Sequence, residues 1–379
     1  IDAQIGMGPA GELRYPAYPL ALWNFPGVGQ FQCYDKYIRK DLIQAAKAAG
    51  KPEYGLMWPP HHDDVGNYNY STEHTEFFKD DGLWQTKEGE FFLEWYSHAL
   101  IKHGDRVLKR ASKAFKGTGI LLAAKVAGIH WQGTTKSHGP ELTAGYFNTI
   151  NRDGYLPIAQ MFAKHKVMFD FTCLEMRNEE IPDWARSAPV ELVRQTQRAA
   201  KAAGCEYAGE NALPRFDRNG YMQMHHQCEN DGDGIKSFTY LRMTNHLMNE
   251  QSYWQEFMRF AAEMKSGNRF TTWCSPPRSK QSNRRHVQDA LKIQEPDPES
   301  MARLLRFGGS QFVDLDNLPA DKSSPALVTG ELPNKEPAIK AGVQAGTLAG
   351  RNGQPMGTKQ LLKVDFDEAA ETHSQVLHL

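Results

Sequence analysis

The chain has 379 residues, of which 40% are hydrophobic and 23% are charged, a composition typical of an ordinary globular protein. Its 44 basic and 45 acidic residues give a formal net charge of −1, so no charge imbalance points to a nucleic acid partner. No apolar run approaches the ~18 residues that a membrane span needs. A near-neutral surface suits an uncharged substrate, and the length leaves room for one large domain or two smaller ones.

Both the cysteines and the first residues carry information. Five cysteines are present and none forms a C-x-x-C pair, so we expect reduced thiols instead of a disulfide framework.

The chain begins at Ile1, and Ile1–Gly8 already has the apolar character of a core strand. We therefore expect the chain to be part of a longer polypeptide.

Strand-like and helix-like segments alternate along the sequence. The predicted strands are Ile1–Gly8, Gly119–Trp131, Val167–Glu175, Cys205–Ala212 and Ser237–Met243. The predicted helices are Asp35–Gly50, Phe91–Phe115 with a break near Gly104, Tyr155–Lys166, Pro189–Gly204 and Ser252–Ser266. This alternation indicates parallel βα units. An open doubly wound sheet is possible, but long polar loops after the strands favour an α/β fold of the (β/α)8 barrel type, whose active site lies at the carboxyl ends of the strands.

The pattern divides the chain into two parts. Residues 1–278 are predicted to be a partial (β/α)8 barrel, present only from about its fourth strand onward. Beyond them the pattern fades, and Asn317–Pro355 is rich in Pro, Gly, Ala, Lys and Ser. Residues 279–379 are therefore predicted to be a polar, loosely ordered C-terminal extension.

Two glutamates lie at the ends of predicted strands. Glu12 follows the first strand in GPAGELRYP, and Glu210 ends the fourth in AGENALPRFD. The carboxyl ends of barrel strands share one rim, so the two side chains can face each other across a ligand. Glycoside cleavage needs such a pair, one group to protonate the leaving oxygen and one to activate water or attack. The alternative is purely structural, with Glu12 bound to Arg14 and Arg215 bound to Glu210 or to a neighbouring aspartate.

Other polar side chains end the same strands. They are Lys125, His130 and Trp131, then Thr172, Cys173, Glu175 and Arg177, and finally Arg242. Aromatic faces and hydrogen-bonding groups are what a sugar ring requires, so several of them at one end of a barrel indicate a binding site. His61–Asp64 contains metal-binding side chains, but adjacent residues rarely converge on one ion, and we interpret this segment as a polar loop.

Six segments resemble one known family closely. They are GPAGELRYPAYP (Gly8–Pro19), FPGVGQFQCYDKY (Phe25–Tyr37), AGIHW (Ala127–Trp131), ELTAGYFN (Glu141–Asn148), FTCLEMR (Phe171–Arg177) and GENALPRFD (Gly209–Asp217). They resemble the β-amylases of glycoside hydrolase family 14, plant and algal members more than bacterial ones, from Ile1 to about Arg278. The resemblance implies a (β/α)8 barrel. It also implies exo-hydrolysis of the α-1,4-glucosidic bonds of starch from the non-reducing end, releasing β-maltose with inversion.

The resemblance also implies roles for single residues. Glu12 matches the general acid and Glu210 the general base, which together predict a bell-shaped pH profile with a mildly acidic optimum. Five positions match substrate-binding residues of the family: Lys125, His130, Thr172, Asn211 and Arg242. No metal or organic cofactor is implied, and starch and maltose are the expected partners, without nucleic acid or membrane. A monomer in the cytoplasm or a plastid is expected.

The chain departs from the family in two respects. The family's N-terminal third, which carries the first three strands and a mobile loop over the substrate, has no counterpart in this sequence. Five strands cannot close a barrel and leave two sheet edges unpaired, so we expect the isolated chain to be unstable or to aggregate. A Trp-Trp-Tyr run is replaced by Trp131–Gly133, which predicts a weaker grip on glucan. These departures motivate the alternative function, a catalytically inactive glucan-binding or regulatory protein.

Overall fold

The computed structural model describes residues 2–229 and 234–266. Within these ranges five strands form one parallel sheet in the order β1–β2–β3–β4–β5. The strands are β1 (Asp2–Gln4), β2 (Leu121–Val126), β3 (Val167–Phe171), β4 (Tyr207–Glu210) and β5 (Ser237–Thr239). The predicted partial (β/α)8 barrel is confirmed, since each strand pairs with the next one along the chain and helices intervene. The predicted extension, residues 279–379, lies outside the described residues.

Helices connect and cover the strands. They are α1 (Lys36–Ala48), α2 (Tyr54–Met57), α3 (His62–Val65), α4 (Lys87–Ala114), α5 (Gly139–Ala144), α6 (Leu156–Lys164), α7 (Pro189–Ala203), α8 (Arg218–Cys228), α9 (Asn245–Asn249) and α10 (Gln251–Ser266). Short 3-10 turns occur at Pro9–Gly11, Thr72–His74, Leu83–Gln85, Asn178–Glu180 and Asp183–Ala185. In the part of the chain that the structure describes, no helix is both long and apolar enough to cross a membrane.

The predicted break near Gly104 is wrong, because α4 runs unbroken from Lys87 to Ala114. Gly104 is buried inside it, where a β-carbon would lie 2.8 Å from Cε of Met161 and 3.2 Å from Cδ1 of Leu13. Glycine has a low helix propensity, which is why the sequence predicted an interruption. The physical reason for this glycine is instead the close approach of α4 to α6 and to the segment after β1.

Five helices were not predicted, namely α2, α3, α5, α8 and α9, and two of them show why. α8 carries the buried polar residues Gln223, His225 and Gln227, which obscure the apolar periodicity that reveals a helix. The His61–Asp64 segment, interpreted as a polar loop, contributes to α3, where Nδ1 of His61 accepts a hydrogen bond from the amide of Asp63 (3.2 Å). In both cases local capping and tertiary packing outweigh a weak sequence signal.

The sheet has an apolar outer face and an inner face that changes character along the strands. On the inner face Ala123, Met168 and Ala208 form a small buried cluster. Alternate residues of a strand share a face, so Lys125, Asp170 and Glu210, each two positions further on, lie above that cluster. The interior thus turns from apolar to charged towards the carboxyl ends of the strands.

The long connection between β1 and α4 has a core of its own. Its centre is Phe31, whose ring centroid lies 5.0 Å from that of Phe92 and 5.4 Å from that of Phe77. Trp58 and Tyr96 are buried in the same cluster. Aromatic pairs at these separations pack favourably. This packing gives the connection a hydrophobic core distinct from the one that contains the strands.

Candidate active site

Glu12 follows a tight turn, Pro9–Gly11, at the end of the first βα unit. Its backbone pairs with that of Lys125 as a parallel bridge, and the amide of Leu13 donates to the carbonyl of Lys125 (2.8 Å). Nε of Arg14 lies 2.6 Å from Oε2 of Glu12. The salt bridge considered as a structural alternative is therefore present, and it holds the Glu12 carboxylate at the end of the sheet.

Glu210 is the last residue of β4 and only 3% exposed. Nζ of Lys125, which extends from β2 past β3, lies 2.6 Å from Oε2 of Glu210. Arg215 does not neutralise Glu210, because it pairs with Asp217 (2.6 Å) and Glu180 (2.5 Å) instead. Lys125 is thus the cation in direct contact with Glu210.

The electrostatic environment links the two glutamates. Burial raises the pKa of Glu210, the adjacent Lys125 lowers it, and the negative charge of Glu12 raises it further. Burial alone would lower the pKa of Lys125, but the acidic groups around it, Glu210 first, leave that pKa raised. Lys125 therefore stays charged and favours the ionised form of Glu210 against the effect of burial.

A fourth charged residue, Asp170, was missed by the sequence reasoning. It is fully buried on β3, directly beside Lys125 in the register of the sheet. Its Oδ2 accepts a hydrogen bond from Nε2 of Gln4 (2.7 Å), and burial, with the charge of Glu210, raises its pKa to about 8. The available signal was one acidic residue within the apolar run VMFDF. We call Gln4, Lys125, Asp170 and Glu210 the inner polar cluster.

His130 lies just after β2 and is 6% exposed. Burial lowers its pKa to about 4, so the imidazole is neutral at ordinary pH. Its ring centroid lies 5.6 Å from that of Trp131 and 6.0 Å from that of Phe25. Nδ1 has no hydrogen-bond partner among the described residues, and a buried ring nitrogen of this kind is suited to a ligand hydroxyl.

Thr172 and Cys173 follow β3 and pack against the segment that follows β2. A β-carbon on Gly128 would lie 2.9 Å from Cγ2 of Thr172 and 2.8 Å from Sγ of Cys173, so only glycine fits there. Cys173 is buried and has a positive φ of 65°. Burial raises its pKa well above the ordinary range, which keeps the sulfur a neutral thiol and argues against a nucleophilic role.

Asn211 joins two loops that follow neighbouring strands. The side chain is fully buried, its Nδ2 donates to the carbonyl of Leu213 (3.0 Å), and its Oδ1 accepts from the amide of Leu241 (2.7 Å). These bonds connect the segment after β4 with the segment after β5. The predicted substrate-binding role of Asn211 stays a prediction.

The remaining candidates also organise the segment after β4. Nε of Arg242 donates to the carbonyl of Ala212 (2.8 Å), and its positive charge lowers the pKa of Glu210. The buried carboxyl group of Glu175 accepts hydrogen bonds from the amides of Ala212 (3.0 Å) and Leu213 (2.6 Å). Burial raises the pKa of Glu175 to about 7. These contacts fix the chain immediately beyond Glu210.

Gln132 stands where the family has an aromatic residue, and the structure gives it a different task. It is 2% exposed, its Nε2 donates to the carbonyl of Pro26 (2.6 Å), and its Oε1 accepts from the amide of Thr72 (2.7 Å). Its own amide donates to the carbonyl of Ala185 (2.8 Å). Gln132 therefore joins three separate loops and presents no side-chain surface to a ligand.

Among residues 2–229 and 234–266, no group of three or more His, Cys, Asp and Glu side chains is arranged to hold a metal ion. Of the predicted site residues, the structure brings Glu12, Lys125, Glu210 and Arg242 into one electrostatic group. Thr172 and His130 lie at the ends of the neighbouring strands β3 and β2. A cation between two carboxylates at the carboxyl ends of barrel strands is an arrangement suited to acid–base chemistry.

Similarity to known proteins agrees with this geometry. The family model described as glycosyl hydrolase family 14 matches residues 1–270. "Beta-amylase 1, chloroplastic" of Oryza sativa subsp. japonica is 50% identical over 270 residues, which cover 70% of this chain and 50% of that protein. "Beta-amylase 1, chloroplastic" of Arabidopsis thaliana is 48% identical over 278 residues, covering 70% of this chain and 48% of that protein.

A solved structure is also similar. The crystal structure of the catalytic domain of beta-amylase from Paenibacillus polymyxa is 28% identical, has a TM-score of 0.57, and covers 69% of this chain and 62% of that chain. The chain spans about half the length of the curated relatives that it matches first. The resemblance drawn from the six sequence segments is confirmed by the family match, and the chain belongs to glycosyl hydrolase family 14.

Proposed function

We propose that the protein is a β-amylase, which hydrolyses α-1,4-glucosidic bonds of starch and related glucans from the non-reducing end and releases β-maltose with inversion. The observation that carries the proposal is that Lys125 contacts both glutamates, Glu210 through its side chain and Glu12 through its backbone. Its Nζ lies 2.6 Å from Glu210, and its backbone pairs with that of Glu12. The relatives from rice and Arabidopsis, named as beta-amylases, support the same activity.

In this mechanism the two glutamates have opposite protonation states. Glu12 donates a proton to the glycosidic oxygen that leaves, and ionised Glu210 removes a proton from the water that attacks the anomeric carbon on the other face. The charged Lys125 favours the ionised form of Glu210, although burial leaves the pKa of this group above its ordinary value. Each cycle removes one proton from Glu12 and adds one proton to Glu210. Glu210 must lose that proton and Glu12 must regain one before the next cycle.

Five residues are proposed to bind the sugar. They lie at or just beyond the ends of β2, β3, β4 and β5 and are Lys125, His130, Thr172, Asn211 and Arg242. The neutral imidazole of His130 and the hydroxyl of Thr172 suit uncharged sugar hydroxyls, and both are nearly buried. Burial of a few well-placed polar groups among apolar walls is the usual composition of a ligand site.

The alternative of an inactive glucan-binding protein has less support. It was motivated by the loss of aromatic residues at Gln132 and Gly133, but Gln132 is a buried structural residue here. Both carboxylates and their partner cations are present among the described residues. We propose starch and maltose as the ligands, a plastid as the compartment because the rice and Arabidopsis relatives are named chloroplastic, and a monomer as the oligomeric state.

The test is the product released from soluble starch. We expect maltose as the main product, and ¹H NMR within the first minutes, before mutarotation, should show the β-anomer. The 379-residue chain should be assayed beside the same chain completed with the N-terminal third of the rice relative. Glucose, mixed oligosaccharides or an α-anomer would contradict the proposal.

A further inference from the structure

Two aromatic rings stand exposed at the carboxyl end of the barrel. Trp184 is 65% exposed, whereas Trp23, Trp58 and Trp131 are at most 9% exposed. Phe25 is 38% exposed, and the centroids of the Phe25 and Trp184 rings lie 6.1 Å apart at an angle of 67°. A single exposed apolar side chain needs no explanation, but two adjoining aromatic rings form a patch, and such patches mark binding surfaces.

The exposed pair is continuous with the proposed active site. The Phe25 ring lies 6.0 Å from the His130 ring and 5.9 Å from the Trp131 ring. The contacts continue from Trp131 to the Tyr18 ring (5.2 Å), which lies under the guanidinium of Arg14 (4.2 Å). Arg14 in turn bonds Glu12. An uninterrupted line of ring contacts thus leads from the exposed patch to one of the two carboxylates.

The loops that carry the two rings are fixed in place. Trp184 lies in the 3-10 turn Asp183–Ala185 between β3 and α7, and the carbonyl of Ala185 accepts the amide of Gln132. The carbonyl beside Phe25, that of Pro26, accepts Nε2 of the same Gln132. The side chain and backbone of one buried residue therefore fix the backbone next to both rings. Preorganised aromatic surface of this kind is useful for binding, because it loses little conformational freedom when a ligand arrives.

The chemistry of the patch suits a neutral, extended ligand. The ion pair nearest in the chain, Arg186 with Glu73 (3.1 Å), is internally neutralised. Flat aromatic faces bury the C–H faces of sugar rings, and their edges leave the hydroxyls in water. The patch adjoins His130, which is proposed to bind the sugar, so a chain held at the cleavage site can continue onto it.

From these observations we infer that Trp184 and Phe25 form an outer glucan-binding platform for the part of an α-glucan chain that extends beyond the cleavage site. The inference rests on the proposed function for the identity of the glucan. The platform supplies aromatic surface that Gln132 and Gly133 do not. It makes the protein prefer long chains, because only a chain that spans both the cleavage site and Trp184 gains the added contact.

The test compares Trp184→Ala with Trp184→Phe and with Tyr37→Ala, in the chain completed as described above. Tyr37 is a matched control, since it is an aromatic residue that is 75% exposed on α1. Affinity electrophoresis in native gels containing soluble starch measures binding without turnover. We expect Trp184→Ala to weaken retardation about five-fold, Trp184→Phe to weaken it less, and Tyr37→Ala to leave it unchanged. The ratio of kcat/KM for soluble starch to that for maltotetraose should fall by a similar factor in Trp184→Ala.

The outcomes separate this inference from the proposed function. Equal retardation of Trp184→Ala and the parent protein, or no retardation of the parent, overturns the platform while maltose release still supports the enzyme. Loss of a dimer in Trp184→Ala with unchanged retardation overturns it in favour of a protein-binding surface. Retardation that depends on Trp184 without maltose release from any variant supports the platform and contradicts the enzyme. Circular dichroism melting of each variant excludes misfolding as the cause.

Discussion

Lys125 is the residue on which the protonation of the site depends. Burial raises the pKa of Glu210 and Lys125 opposes that effect through its charge and its hydrogen bond. Lys125→Met removes the opposing charge, so the pKa of Glu210 rises further and the ionised base is lost at a higher pH. We expect the acidic limb of the kcat/KM profile to move upward by roughly one to two pH units. Lys125→Arg, which keeps the charge, should move it less, and a downward shift would refute this role.

Ionisation of Asp170 should lower the stability of the protein as the pH rises. Its pKa is raised to about 8 in the folded protein, from an ordinary value near ~4 when unfolded. Because the pKa is higher in the folded state, the contribution of this group to the free energy of unfolding is fully present below the pKa of the unfolded state. It is lost as the pH rises through the pKa of the folded state. Asp170→Asn cannot ionise, so it should stabilise the protein relative to the parent by about 1–3 kcal/mol at pH values above the folded pKa.

The measurement for Asp170 is thermal unfolding in mildly acidic and in alkaline buffer. The difference in Tm between Asp170→Asn and the parent should be smaller in mild acid and should grow in favour of the variant in alkali. Asp217→Asn is the matched control, because Arg215 holds the pKa of Asp217 below its ordinary value, so this group is ionised in both buffers and the difference in Tm should not change between them. A difference for Asp170→Asn that is the same at both pH values would rule out the ionisation of Asp170 as its cause.

At the scale of whole elements, three loops depend on one side chain. Gln132→Ala would leave the buried amide of Thr72 and the carbonyl of Pro26 without their partners. Leaving two such groups unsatisfied should cost about 2–4 kcal/mol in the free energy of unfolding, measured with urea. Thr134→Ala, at an exposed position in the same loop, should change it by less than about 0.5 kcal/mol. An equal effect of the two variants would show that the contacts of Gln132 are dispensable.

The parts of the site at strand ends were predictable from the sequence. Glu12 follows the first strand, Lys125 is the next to last residue of β2 and Glu210 ends β4, and parallel strands bring their carboxyl ends to one edge. Asp170, the register partner of Lys125, was missed because the apolar residues on both sides of it predict a fully buried strand and do not show that its side chain lies beside Lys125. The burial of Gln132 was also unpredictable, since it depends on loops that are distant in the sequence.

The helices, too, were predictable where the signal is local and unpredictable where it depends on tertiary contacts. The amphipathic α1 and α7 were predicted because their apolar residues recur on one face, and capping signals mark their ends. Gly104 misled the prediction for α4, since its low helix propensity is offset by close packing against Met161. Propensity is a local quantity, and the deciding contacts at this glycine are tertiary.

At the scale of the whole molecule, the two sheet edges are the main structural liability. Within the described residues β1 pairs only with β2 and β5 only with β4, which leaves backbone groups able to pair with another chain. We predict that the 379-residue chain self-associates when expressed alone, and that joining the N-terminal third of a family relative suppresses this. Size-exclusion chromatography with light scattering measures both. Two monodisperse monomers of similar Tm would contradict the prediction.

The central claim is that Glu12 and Glu210 form the catalytic pair. It is tested most directly by measuring kcat on maltopentaose for Glu12→Gln and Glu210→Gln in the completed chain, together with glucan binding by affinity electrophoresis. Each variant should lose ~10²–10⁴-fold in kcat, because each removes one proton transfer, and should keep its glucan affinity within about three-fold. Retention by either variant of more than a tenth of the parent kcat, with binding intact, would contradict the account.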